Sequence, residues 1–253
     1  MARGGHAEVD RAVAAARSAF DTWGRTSAAD RAKVLHRIAE LVEERVPELA
    51  PVETRDNGSL LRSHLNSVMP RVARNFRFFA DQLTELGDEA FDMNDFVSRT
   101  EWDPSGVTVV ITPWNAPLML ATWRIAPALA AGNSVVAKPP EWAPLSASIL
   151  ADLTREAGLP DGAFNVVQGI GEEAGAALTR HPGVDRIAFT GSIETGKLVA
   201  QAAAANLTPT SLELGGKSPF VAFADADLDT VVKQAVNQFD NAGQVCLAGT
   251  RLI

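Results

Sequence analysis

From Pro104 onward, short β-branched runs alternate with longer helical ones, and this alternation limits the fold more than any other property of the chain. Val107 to Thr112 reads as a buried strand, followed by a helix from about Leu118 that ends at Gly132-Asn133. Ser134 to Lys138 reads as a second strand, with a helix from Ser146 to Ala157 stopped by Gly158 and Pro160. Phe164 to Val167 is a third strand with Glu172 to Thr179 as its helix. Val184 to Phe189 is a fourth, leading into a helix from about Ile193 to Ala205. Ser211 to Leu214 and Phe220 to Phe223 follow as strands. A last helix runs from about Leu228 to Phe239, capped by Asp225 or Asp227.

Strand–helix alternation at this spacing implies βαβ units and predicts an α/β fold: a doubly wound, mostly parallel, Rossmann-like sheet. An N-terminal helical section precedes it. Residues 8 to 90 read as helices, with Val9, Val13, Ala16 and Phe20 at helical spacing and Val34, Ile38, Leu41 and Val42 likewise. Ligands of such sheets gather at the carboxyl ends of the strands. Trp114-Asn115, Lys138 to Glu141, Gly169 to Gly171 and Gly191-Ser192 all fall there.

Composition narrows the classes of function. Apolar residues make up 46% and charged residues 21%, as in an ordinary globular protein. A net charge of −8 argues against a nucleic-acid partner and for small-molecule chemistry. The apolar run after Val13 is alanine-rich and cut by Arg17, which is no secretory leader. Pro104 to Trp123 is uncharged and nearly long enough to cross a bilayer, but Pro113, Asn115 and Pro117 would break a spanning helix. No membrane role is expected. One cysteine allows no internal disulfide, which fits a cytoplasmic location, and no metal-ligand cluster is seen.

Residues 189 to 199, Phe-Thr-Gly-Ser-Ile-Glu-Thr-Gly-Lys-Leu-Val, contain G-x-x-x-x-G-K, most of the loop that cradles ATP phosphates. Leu198 stands where a hydroxyl should hold magnesium, which disfavours a phosphate-loop ATPase. Two readings remain for this segment. Thr190, Gly191, Ser192 and Gly196 either open a helix whose free N–H groups attract an anion, or merely form a tight strand-to-helix turn.

Three further segments carry more information: Ile111-Thr112-Pro113-Trp114-Asn115, Leu212-Glu213-Leu214-Gly215-Gly216-Lys217-Ser218-Pro219, and Asn241-Ala242-Gly243-Gln244-Val245-Cys246-Leu247-Ala248-Gly249. With Lys138-Pro139-Pro140-Glu141 and Phe189-Thr190-Gly191-Ser192, in this order, they resemble the aldehyde dehydrogenase superfamily from Val9 to Ile253. Taken alone, Cys246 reads as a small buried apolar residue or, given Gly243, Gln244 and Gly249 around it, as a loop thiol able to act as a nucleophile. The resemblance implies the second: Cys246 attacks an aldehyde to form a thiohemiacetal, hydride passes to a nicotinamide, and the resulting thioester is hydrolysed. Glu213 reads as a surface carboxylate, a buried one paired with Lys217, or a partly buried general base between two leucines. The resemblance makes it the base that activates water, and makes Asn115 the oxyanion donor, alongside the Cys246 backbone N–H.

The same resemblance assigns Ile111, Thr112, Pro113 and Trp114 to the wall of the cofactor cleft, and Lys138 and Glu141 to the adenosine ribose. Gly169 falls beside the adenine, Thr190, Gly191, Ser192 and Gly196 at the pyrophosphate, and Leu214 in the same cleft. A carboxylate at Glu141 accepts from a 2′-OH and repels a 2′-phosphate, so NAD is expected; NADP stays admissible because Lys138 would attract that phosphate. The substrate is expected to be a small-molecule aldehyde. The run around Cys246 resembles members acting on semialdehydes of aromatic catabolism.

The chain stops 253 − 246 = 7 residues beyond the presumed nucleophile. Members of the family it resembles continue further, so the resemblance implies a fragment of a longer, homo-oligomeric enzyme: residues 1–98 the helical part of the cofactor domain, 99–215 the dinucleotide-binding core, and 216–253 the first unit of a catalytic domain. Arg99 to Trp102 resembles one strand of an interface ribbon without its partner. The alternative expectation is a fragment that binds NAD and catalyses nothing.

Overall fold

The computed structural model describes residues 2–83, 85 and 87–253. The chain opens with α1 (His6–Trp23), α2 (Ala28–Glu44), α3 (Val46–Asn57), the short α4 (Leu61–Ser63), a π-helical turn His64–Val68, and α5 (Met69–Gln82). Local chemistry sets these limits. The Glu8 carboxylate accepts from the Gly5 N–H at 2.8 Å to start α1, and Ser27 Oγ accepts from Asp30 N at 3.1 Å to start α2. Gly58, at φ 81°, ends α3 in the left-handed region that a side chain would resist.

The helical reading of residues 8 to 90 ends too late. Glu89–Met93 (β1) and Phe96–Thr100 (β2) form an antiparallel hairpin, in register from Glu89 opposite Thr100 to Met93 opposite Phe96. The strand around Arg99 thus has its partner within the chain. Asn94, at φ 54°, makes the turn; Asn94-Asp95 between Met93 and Phe96 was the hairpin signal in the sequence.

The remaining elements are β3 (Val107–Ile111), α6 (Pro117–Ala130), β4 (Ser134–Lys138), α7 (Leu145–Glu156), β5 (Phe164–Val166), a π-helical turn Gly171–Gly175 with α8 (Ala176–Arg180), β6 (Arg186–Gly191), α9 (Ile193–Ala204), β7 (Thr210–Leu214), β8 (Pro219–Phe220), α10 (Leu228–Asn237) and β9 (Arg251–Leu252). Each expected strand is present, although residues 221–223 leave the ladder and only Pro219–Phe220 pair, with β9. Asp227, rather than Asp225, caps α10 through Thr230 N at 2.9 Å. The expected helix over 172–179 begins instead as the π-helical turn.

Five strands form one parallel sheet in the order β5-β4-β3-β6-β7. Strands β3 and β4 are buried at every position, as a sheet covered on both faces requires. Val107, Val109 and Ile111 pack with Val9, Val13 and Ala16 of α1, Leu178 of α8 and Val199 of α9. Val110 turns the other way, into a core with Leu35, Ile38, Leu49, Phe76, Leu118, Ile125 and Leu150 from α2, α3, α5, α6 and α7. Period-2 alternation along a single strand therefore divides the helices into two layers. Arg31 closes this second layer by donating to Ala130 O at 2.8 Å, at the carboxyl end of α6, and burial lowers its pKa.

Ile125 is 0% exposed, at the centre of α6. Ile125→Ala should lower the unfolding free energy by about 2–5 kcal/mol in urea denaturation with little change in m-value.

Candidate active site

The strand order turns back at β3. The chain adds β4 and β5 on one side, then crosses to lay β6 and β7 on the other. Neighbouring β3 and β6 therefore send their next helices to opposite faces, opening a crevice beyond their carboxyl ends. Residues 112–116 leave β3 there, and Ser192 leaves β6.

Asn115 is tied into this crevice by two hydrogen bonds. Its Nδ2 donates to Gln244 O at 2.8 Å, and its backbone O accepts from Asn241 Nδ2 at 3.1 Å. Its Oδ1 is buried and makes no hydrogen bond. The β3 loop is thereby clasped to the segment that carries Cys246, which lies in a turn with its residue exposed. The reading of Cys246 as a buried apolar residue does not hold in this chain, where the residue is exposed in a turn of the glycine-rich loop. The Cys246 turn also leans on the segment after β7: a Cβ on Gly216 would sit 3.5 Å from Cys246 O.

Glu213 departs from the expected partly buried carboxylate. Its side chain is 64% exposed and pairs with Arg124 of α6, Nη2 to Oε1 3.2 Å, while Lys217 is exposed elsewhere. Among the described residues β7 is an edge strand, with β6 as its one neighbour in the sheet. Leu212 and Leu214 face the α1/α9 layer, and alternation turns Glu213 to the α6 side. Arg124 was not singled out from the sequence, and Asn241 and Gln244 entered only as neighbours of Cys246, without a role of their own. Arg124 was the sole charge within the apolar run of α6, and that was the available signal.

Lys138 and Glu141 are no exposed pair. Lys138 is 3% exposed, with its Nζ 3.0 Å from Glu141 Oε2. Burial disfavours the charge on Glu141, but its own backbone N–H, Lys138 and the Gly171 N–H outweigh that and hold its pKa below the ordinary value. The Gly169–Gly171 turn thus lies beside the β4 loop. Gly169 itself is closed off, since a Cβ there would meet Gly4 O at 2.7 Å and Ala174 Cβ at 2.8 Å. Ile111 and Thr112 are buried, Pro113 is half-buried, and Trp114 is exposed, its ring 6.5 Å from that of Trp142.

The glycine segment divides into two roles. Ser192 is the N-cap of α9, its Oγ accepting from Thr195 N at 3.1 Å, beside half-buried Thr190 and Gly191. Gly196 lies against the sheet, where a Cβ would stand 2.7 Å from Leu214 Cδ2. It serves helix–strand packing, with Leu214 filling the space. Lys197 and Leu198 are exposed on the helix. A phosphate-loop ATPase is not what these residues build.

Comparison with known proteins places the whole chain: residues 1–253 match the model of the aldehyde dehydrogenase family, and the chain belongs to that family. It is 45% identical to 2-hydroxymuconic semialdehyde dehydrogenase of Pseudomonas sp. strain CF600, over 98% of this chain and 53% of that protein. It is 46% identical to the NADP/NAD-dependent aldehyde dehydrogenase PuuC of Escherichia coli K12, over 100% and 52%. Among solved structures, HpcC from Thermus thermophilus superposes with a TM-score of 0.96 at 51% identity, covering 99% of this chain and 49% of that one. An NAD+ complex of the Bacillus cereus aldehyde dehydrogenase superposes equally well at 39% identity, over 99% and 52%. The chain spans about half the length of the relatives it matches. Among the described residues, no helix is long and apolar enough to cross a membrane, and no group of three or more His, Cys, Asp or Glu could hold a metal ion.

With its residue exposed, Cys246 should react stoichiometrically with a disulfide reagent in the native chain, at a rate close to that in denaturant; strong protection would contradict the turn described here.

Proposed function

We propose that the protein carrying this chain oxidises an aldehyde to a carboxylic acid with NAD as hydride acceptor. The observation that carries the reading is the clasp between Asn115 and Gln244, which joins the β3 loop to the cysteine loop at the crevice. The residues present suit a dinucleotide. Lys138 offers a donor and Glu141 an acceptor to a ribose diol at the end of β4, and the capped N-terminus of α9 faces the same crevice with a helix dipole suited to a pyrophosphate. Glu141 carries negative charge where a 2′-phosphate would lie, which favours NAD over NADP.

The Cys246 sulfur, as thiolate, adds to the carbonyl carbon and forms a C–S bond. The carbonyl oxygen becomes an oxyanion, received by the second N–H of the Asn115 amide and by the Cys246 backbone N–H. A neutral amide suits this work, since it stays a donor at any working pH. The bound nicotinamide supplies the acceptor for the hydride that then leaves the same carbon. Glu213, once released from Arg124, takes a proton from water as that water adds to the thioester. The C–S bond breaks, the acid departs and the thiolate is restored. The substrate class we favour is a semialdehyde, in line with the Pseudomonas relative.

The test is aldehyde-dependent formation of reduced nicotinamide by the protein carrying these residues, against a panel that includes semialdehydes. Cys246→Ala should abolish it, and Asn115→Ala should lower kcat roughly 10²–10³-fold. Glu213→Gln should leave a burst of reduced nicotinamide equal to the enzyme present, followed by slow turnover, because acylation survives and hydrolysis does not. Undiminished activity in Cys246→Ala would end the covalent reading.

A further inference from the structure

Helix α6 begins immediately after the Asn115 loop, and its start is unusual. The N-cap residue, Ala116, has no side chain able to cap, and Pro117 has no N–H. The first turn is nonetheless buried, with Leu118 at 0% exposure, so its free N–H groups cannot turn to water. The partner comes from another helix: Glu53 of α3 accepts from Leu118 N at 3.3 Å through Oε2.

Glu53 is itself 0% exposed. Its second oxygen, Oε1, makes no hydrogen bond and lies 3.8 Å from Nδ1 of His64, on the π-helical turn that follows α4. His64 is buried at 1% exposure, and neither of its ring nitrogens is hydrogen-bonded. Ser146, in the first turn of α7, is buried beside the carboxylate without a hydrogen bond of ordinary geometry. Leaving buried carboxyl and imidazole atoms unpaired is costly. Stability alone would favour apolar residues here, and π-helical turns cluster at functional sites.

We propose that Glu53 is a positioning residue for Asn115, its ionised carboxylate holding the first turn of α6 and, through Pro117, the loop that presents the oxyanion donor. This rests on the role given to Asn115 above. The groups that face Glu53 are His64, Ser146, the Leu118 N–H, and Asp56 from its own helix. Burial, with a smaller push from the Asp56 charge, outweighs Ser146 and the Leu118 N–H and raises the Glu53 pKa to about 7. Burial lowers that of His64, which stays a neutral ring able to accept a proton bond. Above that value the anion accepts from Leu118 with charge assistance and is favoured by the helix dipole. Below it, the carboxyl holds its proton and donates it toward His64 Nδ1, and its grip on α6 weakens.

Glu53→Gln mimics the protonated form. In the protein carrying this chain, the ratio of unsubstituted to variant kcat should be near unity well below pH 7. It should climb to about tenfold well above it, a part of what outright loss of the donor costs, with the KM for NAD unchanged. A ratio that is flat with pH, or a change confined to KM, overturns the proposal. Should the variant not fold, hydrogen exchange on the unsubstituted 253 residues probes the same contact. Protection of the Leu118 amide, corrected for intrinsic rate, should rise as pH passes through about 7, and constant protection overturns the capping role. If the unsubstituted protein oxidises no aldehyde, the functional reading fails and takes the Asn115 part of this proposal with it. The exchange result then separates that failure from a failure of Glu53 to hold the helix.

Discussion

The reversal of strand order between β3 and β6 is the constraint on which the candidate site depends. Parallel strands need crossover helices, and crossovers of one hand place those helices on opposite faces wherever the direction of winding changes. The loops after β3 and β6 are then the pair that no helix can roof. Residues 112–116 and Ser192 stand there for that reason, with the β4 loop alongside.

Helix α6 transmits that constraint into chemistry. Its N-terminal end holds the Asn115 loop, its middle supplies Arg124 to Glu213, and its carboxyl end is tied down by Arg31. The helix is mostly apolar and buried on the faces that meet α2, α5 and β3, so its axis is fixed by that packing. Groups attached to it inherit that fixed placement. The cysteine loop, by contrast, has its residue exposed and is held by two amide contacts, Asn115 to Gln244 and Asn241 to the Asn115 backbone.

Much of the fold was legible in the chain. Val107 to Ile111 and Ser134 to Lys138 were readable because strands buried on both faces are rich in β-branched and apolar residues without strict alternation, and Gly132 and Gly158 marked the helix ends. Of the hairpin at 89–100 only the strand around Arg99 was read, by resemblance, because all its residues are exposed and no burial pattern distinguished it from helix. Asn115, Glu213 and Cys246 stood out through their neighbours in sequence. Glu53 did not: Glu-Thr-Arg-Asp within a helix reads as a solvated face, and only the packing of α3 against α7 and the π-helical turn His64–Val68, with the first turn of α6 reaching it through Leu118 N, puts that carboxylate out of water.

By itself the amino-acid sequence determined the order and kind of the elements from β3 onward, the family, and which side chains bear reactive groups. These rest on local periodicity, turn chemistry and short motifs, all expressed over a few neighbouring residues. The tertiary structure alone decided that Glu213 faces Arg124, that Gly196 serves packing, that Lys138 is buried, and that Glu53 meets Leu118 and His64. Each of those outcomes depends on which face of a strand or helix meets an element far away in the chain, and burial, charge and hydrogen bonding are properties of that meeting.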